Sequence, residues 1–397
     1  MNAEVLGRSQ IDTIIENLGK LGPKLSSGDQ GARQEALQLS RKLTTSLEDP
    51  TNIAVDLIYL PFRSVAARIA IDLDLFNLII KHGDSVTSTE LASLSGGEEL
   101  LIIRILRPLA IMGFVEEVGE RRWRATPITR AMAREEIAAG HRMFETIVAA
   151  AMKGPKFLRE AGHRAPLDPS DGFIQYAFQT KLSTFDFYSS IPQLQRDFDL
   201  CMGNVLGARQ NWLDWFPVEE RILDGADKRS PLLVDVGGGK GHDILAFHEK
   251  YPRNGGRLIL QDLAPAINNV LKVDSSIETM VHNFFTEQPV KGARAYYYHY
   301  ILHDWSDSVC LDILKNARAA MKPGYSKLIL NEMIVSDRGA SMTHASMDMT
   351  MLAFCGGMER TERQWRELLG KAGLEVVRVW LPPQEDATGI VEAMVKE

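Results

Sequence analysis

The sequence predicts an α/β protein in which a doubly wound, largely parallel sheet follows a series of helical modules. Two observations carry that expectation. From residue 231 onward, short apolar runs alternate with amphipathic helical segments. The first run, residues 232–236, passes straight into a glycine cluster and then a helix. A third observation sets the order: upstream of residue 231 the pattern is almost wholly helical. At 397 residues the chain exceeds what one compact core ordinarily fills, so several domains are expected.

Residues 1–50 read as a helical extension. Ile11, Ile14, Ile15, Leu18 and Leu21 follow the i, i+3, i+4, i+7 spacing of one helix face. Ser26 to Asp29 separates this helix from a second, which ends near Asp49-Pro50. Residues 51–135 change character. A helix runs through Ala66 to Ile80, and Thr87 then opens another with Glu90 placed for a capping box. A third helix covers 98–112, followed by Gly113-Phe-Val-Glu-Glu117 and Arg122-Trp-Arg-Ala-Thr-Pro127. Helix, helix, helix and β-wing is the order of a winged helix. Residues 136–225 read as helical and rich in aromatic and Met residues, among them Met152, Phe185, Tyr188 and Trp212. Some of these are suited to wall a pocket for an aromatic or greasy ligand. Residues 226–397 form the α/β domain. Its further strands are expected at 257–261, 279–281, 295–301, 327–333, 374–380 and 390–395. Helices are expected at 242–251, 306–321 and 361–372, the second of them ended by Pro323-Gly324.

Composition excludes several function classes. Lys and Arg total 45 against 52 Asp and Glu, a formal charge of −7. A nucleic-acid binder needs concentrated positive charge, and the third helix, mainly apolar with only Arg104 and Arg107, does not supply it. The winged helix is therefore expected as a scaffold or dimerisation module. The most apolar stretch, 100–115, is interrupted by the same two arginines and is too short to span a membrane. No secretory leader is expected, since the N-terminus carries Glu4 and no apolar core. Cys201, Cys310 and Cys355 are too far apart for a disulfide framework or a metal pair, so no metal and a cytoplasmic setting are expected.

Chemistry concentrates in the last domain. Asp235 ends the first strand, and Gly237, Gly238, Gly239 and Gly241 follow, giving bare backbone at a strand's carboxyl end. Open α/β sheets bind ligands there. A dinucleotide fingerprint would read G-x-G-x-x-G, and it fails in both frames, at His242 and at Ile244. Asp262, 21 residues beyond Gly241, is positioned to accept both hydroxyls of a ribose. After the next strand, Asn283 can accept from an adenine amino group while Phe284 or Phe285 stacks on the base. These features together point to an adenosyl cofactor.

His303 and Asp304 follow the strand at 295–301, on the edge that carries the glycine loop. A phenol of pKa near 10 is a poor nucleophile at neutral pH, and His is the ready general base. A carboxylate that fixes the imidazole's tautomer would assist, and Glu332 and Glu359 are the candidates.

With these residues in view, the chain resembles plant and fungal S-adenosylmethionine-dependent O-methyltransferases related to caffeic acid and acetylserotonin methyltransferases. The matching elements are Val234-Asp-Val-Gly-Gly-Gly-Lys-Gly241, Gln261-Asp-Leu263, His282-Asn-Phe-Phe285, Ile301-Leu-His-Asp-Trp-Ser-Asp307, Lys322-Pro-Gly324 and Gly356-Gly-Met-Glu-Arg-Thr361. The strong match covers about 232–395, and the 60–130 region is similar to the family's winged-helix module. The resemblance implies a Rossmann-like class I methyltransferase domain preceded by an all-helical winged-helix dimerisation domain. It implies S-adenosyl-L-methionine as cofactor, His303 as general base framed by Glu332 and Glu359, and a homodimer in which one N-terminal region helps close the partner's pocket. That arrangement would occupy the apolar stripes at the start of the chain. The expected cofactor set is Asp235, Gly237, Gly238, Gly239, Asp262, Leu263, Asn283, Phe284 and His299. The substrate set is His141, Met152, Phe185, Asp304, Met351 and Phe354. Where the family usually has Asp, this chain has Asn283, which still accepts from an amino group. The long N-terminal extension points to the fungal secondary-metabolite branch and an aromatic or polyketide substrate. Some fungal relatives look like pericyclases, which hold the cofactor without transferring its methyl. In that alternative His141, His303 and Asp304 hydrogen-bond the substrate of a dehydration or cycloaddition.

Overall fold

The computed structural model describes residues 8–204, 211–253, 255–268, 270, 274–383 and 386–396. Glu4 lies outside them. The chain divides into two compact units, Met1–Arg130 and Ala131–Glu397.

In the first unit, α1 (Arg8–Ser26) packs on α2 (Gln30–Leu47). The Asp29 carboxylate caps α2 by accepting from the Ala32 N–H at 2.8 Å. Asp49-Pro50 does not merely end a helix. Asp49 accepts from Thr51 and Asn52 and starts α3 (Pro50–Asp72), with Pro50 at the first position, where its missing N–H costs nothing. The expected helix through 66–80 is thus split. α3 stops at Asp72, Asp74 turns through a positive φ of 52°, and α4 (Leu75–His82) follows.

α5 (Ser88–Ser95) begins at Thr87 with the expected capping box to Glu90, and α6 (Glu99–Ile111) buries Ile102, Ile105, Leu106 and Leu109. The module is not all-helical. β1 (Ser85–Thr87), β2 (Val115–Gly119) and β3 (Arg122–Ala125) make an antiparallel sheet in the order β1-β3-β2, with Trp123 buried at its centre. β1 is three residues long and shows no alternating pattern in the sequence. α7 (Pro127–Met132) leads into the second unit.

The second unit opens with α8 (Glu135–Ala151), α9 (Gly154–Glu160), α10 (Phe173–Phe178), α11 (Thr184–Ser189) and α12 (Pro192–Asn204). The sheet follows as β4 (Pro231–Val236), β5 (Arg257–Asp262), β6 (Ile277–Val281), β7 (Ala295–His299), β8 (Lys327–Glu332), β11 (Leu374–Trp380) and β12 (Gly389–Val395). Between them run α13 (His242–Lys250), α14 (Ala264–Ile267), α15 (Asp307–Ala320), α16 (Met342–Phe354) and α17 (Glu362–Lys371). The short pair β9 (Ile334–Val335) and β10 (Arg360–Thr361) is parallel.

Strand order is β6-β5-β4-β7-β8-β12-β11, with β4 to β8 parallel and β12 antiparallel to both its neighbours. Both faces are buried. Val234, Val236, Tyr296, Tyr298, Leu328 and Leu330 enter one core, while Leu233, Ala295, Tyr297 and Ile329 enter the other. That explains the unbroken apolar runs of the parallel strands.

β12 carries Glu392, which is fully buried. It accepts from Arg221 at 2.8 and 3.0 Å, from Lys327 at 2.8 Å and from the Trp380 indole at 3.1 Å. Removing the carboxylate strands two cations in or near the core. Glu392→Ala is expected to lower unfolding free energy by about 3 kcal/mol. Denaturant melts of the two proteins check this, and a loss below about 1 kcal/mol would place the cluster with ordinary surface pairs.

Candidate active site

The carboxyl ends of β4, β5, β7 and β8 bring the predicted residues to one sheet edge. Beyond β4, Gly237 and Gly238 both donate to the Gln261 carbonyl, at 2.8 and 3.2 Å, which folds the loop back over β5. A Cβ on Gly238 would lie 2.5 Å from Asp235 Oδ2 and from Leu260, so no side chain fits there. Gly239, at φ +56°, aims its N–H at Asp262 Oδ2 (2.8 Å), and space above it is open. Asp262 also accepts from the Leu263 N–H at 2.6 Å, and Leu263 itself is exposed.

The charge balance of this edge is acidic. Asp235 is buried, and neither of its oxygens has a well-placed hydrogen-bond partner. Burial, with Asp243 and Asp262 nearby, pushes its carboxyl well above the usual range. Burial likewise raises Asp262. Asp243 behaves oppositely. Burial disfavours its charge, but His299 at 2.7 Å, the Tyr297 hydroxyl at 3.2 Å and the Trp212 indole at 3.1 Å hold it below the usual range. His299 keeps a buried, unpartnered Nε2. Asn283 uses its side-chain oxygen on the Phe285 N–H at 3.0 Å, leaving one lone pair for a ligand. Phe284 approaches the glycine loop and the Trp305 ring, 6.4 Å away. Bare backbone, a carboxylate for a diol and a cluster of acidic groups match the chemistry of S-adenosyl-L-methionine, a nucleoside with ammonium and sulfonium charges. Asp243 was missed in the sequence because nothing near it announces its three partners.

Past β7 the chain turns sharply. Tyr300 takes a φ of +53°, and Leu302 to Asp304 form a short 3₁₀ turn. His303 is 6% exposed, with Nδ1 at 2.8 Å from Glu359 Oε1 and Nε2 at 3.6 Å from Asp304 Oδ1. Of the two candidate orienting carboxylates, Glu359 therefore meets the ring. Glu332 instead accepts from the Leu302 and Ile301 N–H groups, at 2.9 and 3.3 Å, and holds the turn's backbone. Gly357 makes the pairing possible. A Cβ there would sit 2.0 Å from the His303 carbonyl, which receives the Met358 N–H at 2.9 Å. Buried Arg360 staples the turn through the Leu302 and Trp305 carbonyls and Asp307, with its guanidinium over Trp365.

Burial opposes a charge on His303, but Glu359, Asp304 and Glu332 outweigh it and lift the imidazole to about 10. Burial first, and the carboxylates' mutual repulsion, raise Glu332 to about 7 and Asp304 to about 6. One nitrogen of His303 and one oxygen each of Glu332 and Glu359 lie within 4.8 Å of one another.

Of the expected substrate residues, Phe185, Met351 and Phe354 join one aromatic cluster with Tyr188 and Phe198. Phe185 lies 5.6 Å from Phe354 and 5.9 Å from Trp305, whose turn carries Asp304. His141 is half-buried on α8. Met152 is not brought to the others. It caps α8 one step beyond the inward stripe Met143, Ile147, Ala150, and is 66% exposed.

Comparison with known proteins agrees with this architecture. Residues 217–375 match an O-methyltransferase domain and residues 56–135 an O-methyltransferase dimerisation domain. O-methyltransferase penC of Penicillium thymicola is 50% identical over 384 residues, covering 96% of each chain. The structure of LepI in complex with SAM superposes with a TM-score of 0.86 at 30% identity, covering 97% of this chain and 99% of that one. A structure described as a pericyclic reaction enzyme superposes equally well, with a TM-score of 0.86 at 30% identity over 98% of this chain and all of that one. The chain belongs to the S-adenosyl-L-methionine-dependent O-methyltransferase family.

Proposed function

We propose that the chain methylates a hydroxyl of an aromatic or polyketide-type secondary metabolite, with His303 as general base and two copies forming the working enzyme. The observation that carries this is the buried His303–Glu359 pair, 2.8 Å apart, on the edge that also carries the glycine cradle. Bound S-adenosyl-L-methionine supplies an electrophilic methyl carbon on a positively charged sulfur. Glu359 fixes Nδ1 as the protonated nitrogen, which leaves Nε2, 3.6 Å from Asp304 Oδ1, as the nitrogen for an acceptor hydroxyl. An imidazole lifted to about 10 is matched to a phenol, which makes the proton transfer nearly thermoneutral. The same lift means that little neutral His303 exists at pH 7, so turnover climbs with pH. Phe185, Met351 and Phe354, with the helices of 136–225, favour a flat apolar acceptor. Asp235, Asp243 and His299 are suited to the charged amino-acid end of the cofactor, Asp262 to its ribose, and Asn283 with Phe284 to its adenine. The dimerisation match supports a homodimer, as do Leu57, Ile58, Tyr59 and Phe62 of α3, each more than half exposed.

A second reading has one observation in its favour. A His303 that is protonated at neutral pH is a proton donor, which a dehydration or pericyclic step can use without methyl transfer. The deciding experiment is incubation of the protein with cofactor, a chelator and phenolic polyketides, read by mass spectrometry. We expect one S-adenosylhomocysteine per methylated product, with the chelator having no effect. A dehydrated or isomeric product with the cofactor unconsumed would overturn methyl transfer.

Two variants test the base. His303→Ala should abolish turnover while cofactor affinity stays nearly constant, and surviving activity would remove His303 from the role. Glu359→Gln deletes the charge that lifts His303, so the ring loses its proton at lower pH. The acid limb of kcat/KM should accordingly move to lower pH on a reduced plateau, and an unmoved limb contradicts the pairing.

A further inference from the structure

Glu359 is held from two sides. Its carboxylate meets His303, while its own backbone N–H donates to Asp348 Oδ1 at 2.9 Å. Asp348 lies on α16, where Met351 and Cys355 follow at three and seven residues, so the three share one helix face. Met351 and Cys355 are buried, and the Cys355 thiol reaches Asp304 Oδ1 at 3.6 Å. One helix therefore touches the aromatic cluster, the acid beside Nε2 and the residue that holds Nδ1.

We propose that Asp348 is a positioning residue for the His303–Glu359 pair, and that through it α16 couples the substrate wall to the base. This rests on His303 being the base. The segment from Gly356 to Glu359 contains no regular element before β10, and along it Met358 N–H donates to the His303 carbonyl and Glu359 N–H to Asp348. Losing the Asp348 bond removes the tie between α16 and the Glu359 N–H and lets the carboxylate drift from Nδ1. The groups that face His303 are Glu359 on this segment, Asp304 on its own turn, Glu332 on β8 and the Tyr300 ring at 5.0 Å; the Cys355 thiol of α16 meets the same Asp304 oxygen that lies nearest Nε2. Asp348 meets Glu359 through that residue's backbone N–H rather than its carboxylate. Its effect passes through the placement of Glu359.

The test separates geometry from charge. Asp348→Asn keeps an acceptor oxygen in place without the charge. Asp348→Glu keeps the charge and displaces the oxygen by a methylene, and Asp348→Ala removes both. In the full-length protein saturated with cofactor, Asp348→Ala and Asp348→Glu should lower kcat about 10- to 100-fold. Both should shift the acid limb of the pH profile downward, as Glu359→Gln does, with the cofactor's KM unchanged. Asp348→Asn should return the limb to its wild-type position. Should the alanine variant fail to fold, the Asn and Glu variants alone still separate the two cases. A wild-type limb in Asp348→Glu, or a shifted limb in Asp348→Asn, overturns the inference. Active His303→Ala would instead sink the base assignment, so the two failures are distinguishable.

Discussion

A buried imidazole facing three carboxylates is the constraint around which this protein is arranged. Ion pairing in a dry site is favourable only when each charge is placed within hydrogen-bond reach, and an error of about an ångström leaves a desolvated charge unpaired. Much of the surrounding structure meets that demand. Tyr300 accepts a left-handed backbone so that β7 can turn at once into the His303 segment. Glu332 takes two N–H groups of the turn, Arg360 takes two of its carbonyls, and Gly357 yields the volume that a side chain would need. None of these residues has to touch a substrate for the pair to depend on it.

The same sheet edge carries a second acidic centre. Asp235, Asp243 and Asp262 face the glycine loop, with His299 set against Asp243. The two centres answer different needs. One gathers acidic groups beside the glycine loop, and the other uses carboxylates to raise the proton affinity of a histidine. β4, β5 and α13 present the carboxylates of the first, while the turn after β7, the end of β8 and the segment before β10 present the groups of the second.

What the sequence disclosed was local. A strand, a glycine loop and a helix are contiguous, so the cradle and Asp262 could be read directly, as could the Thr87–Glu90 cap. His303 was legible from its place just past a strand. Its true partner was not: Glu332 and Glu359 stood as equals until the structure gave the ring to one and the backbone to the other. Asp243 and Asp348 were missed for the same reason, because each matters through contacts with residues distant in the chain. The antiparallel β12 reads as one more apolar strand, and nothing in its residues states its direction. Met152, grouped with the substrate residues by composition, stands 66% exposed at the end of α8 and outside the aromatic cluster.

The most direct measurement is the nitrogen-15 titration of the His303 ring in the intact protein and in Glu359→Gln. The account predicts a ring in the parent protein that keeps its proton far above the ordinary histidine value of about 6.5, with Nδ1 protonated throughout, and a clear fall in the variant. A His303 that titrates at that ordinary value in both proteins would contradict it.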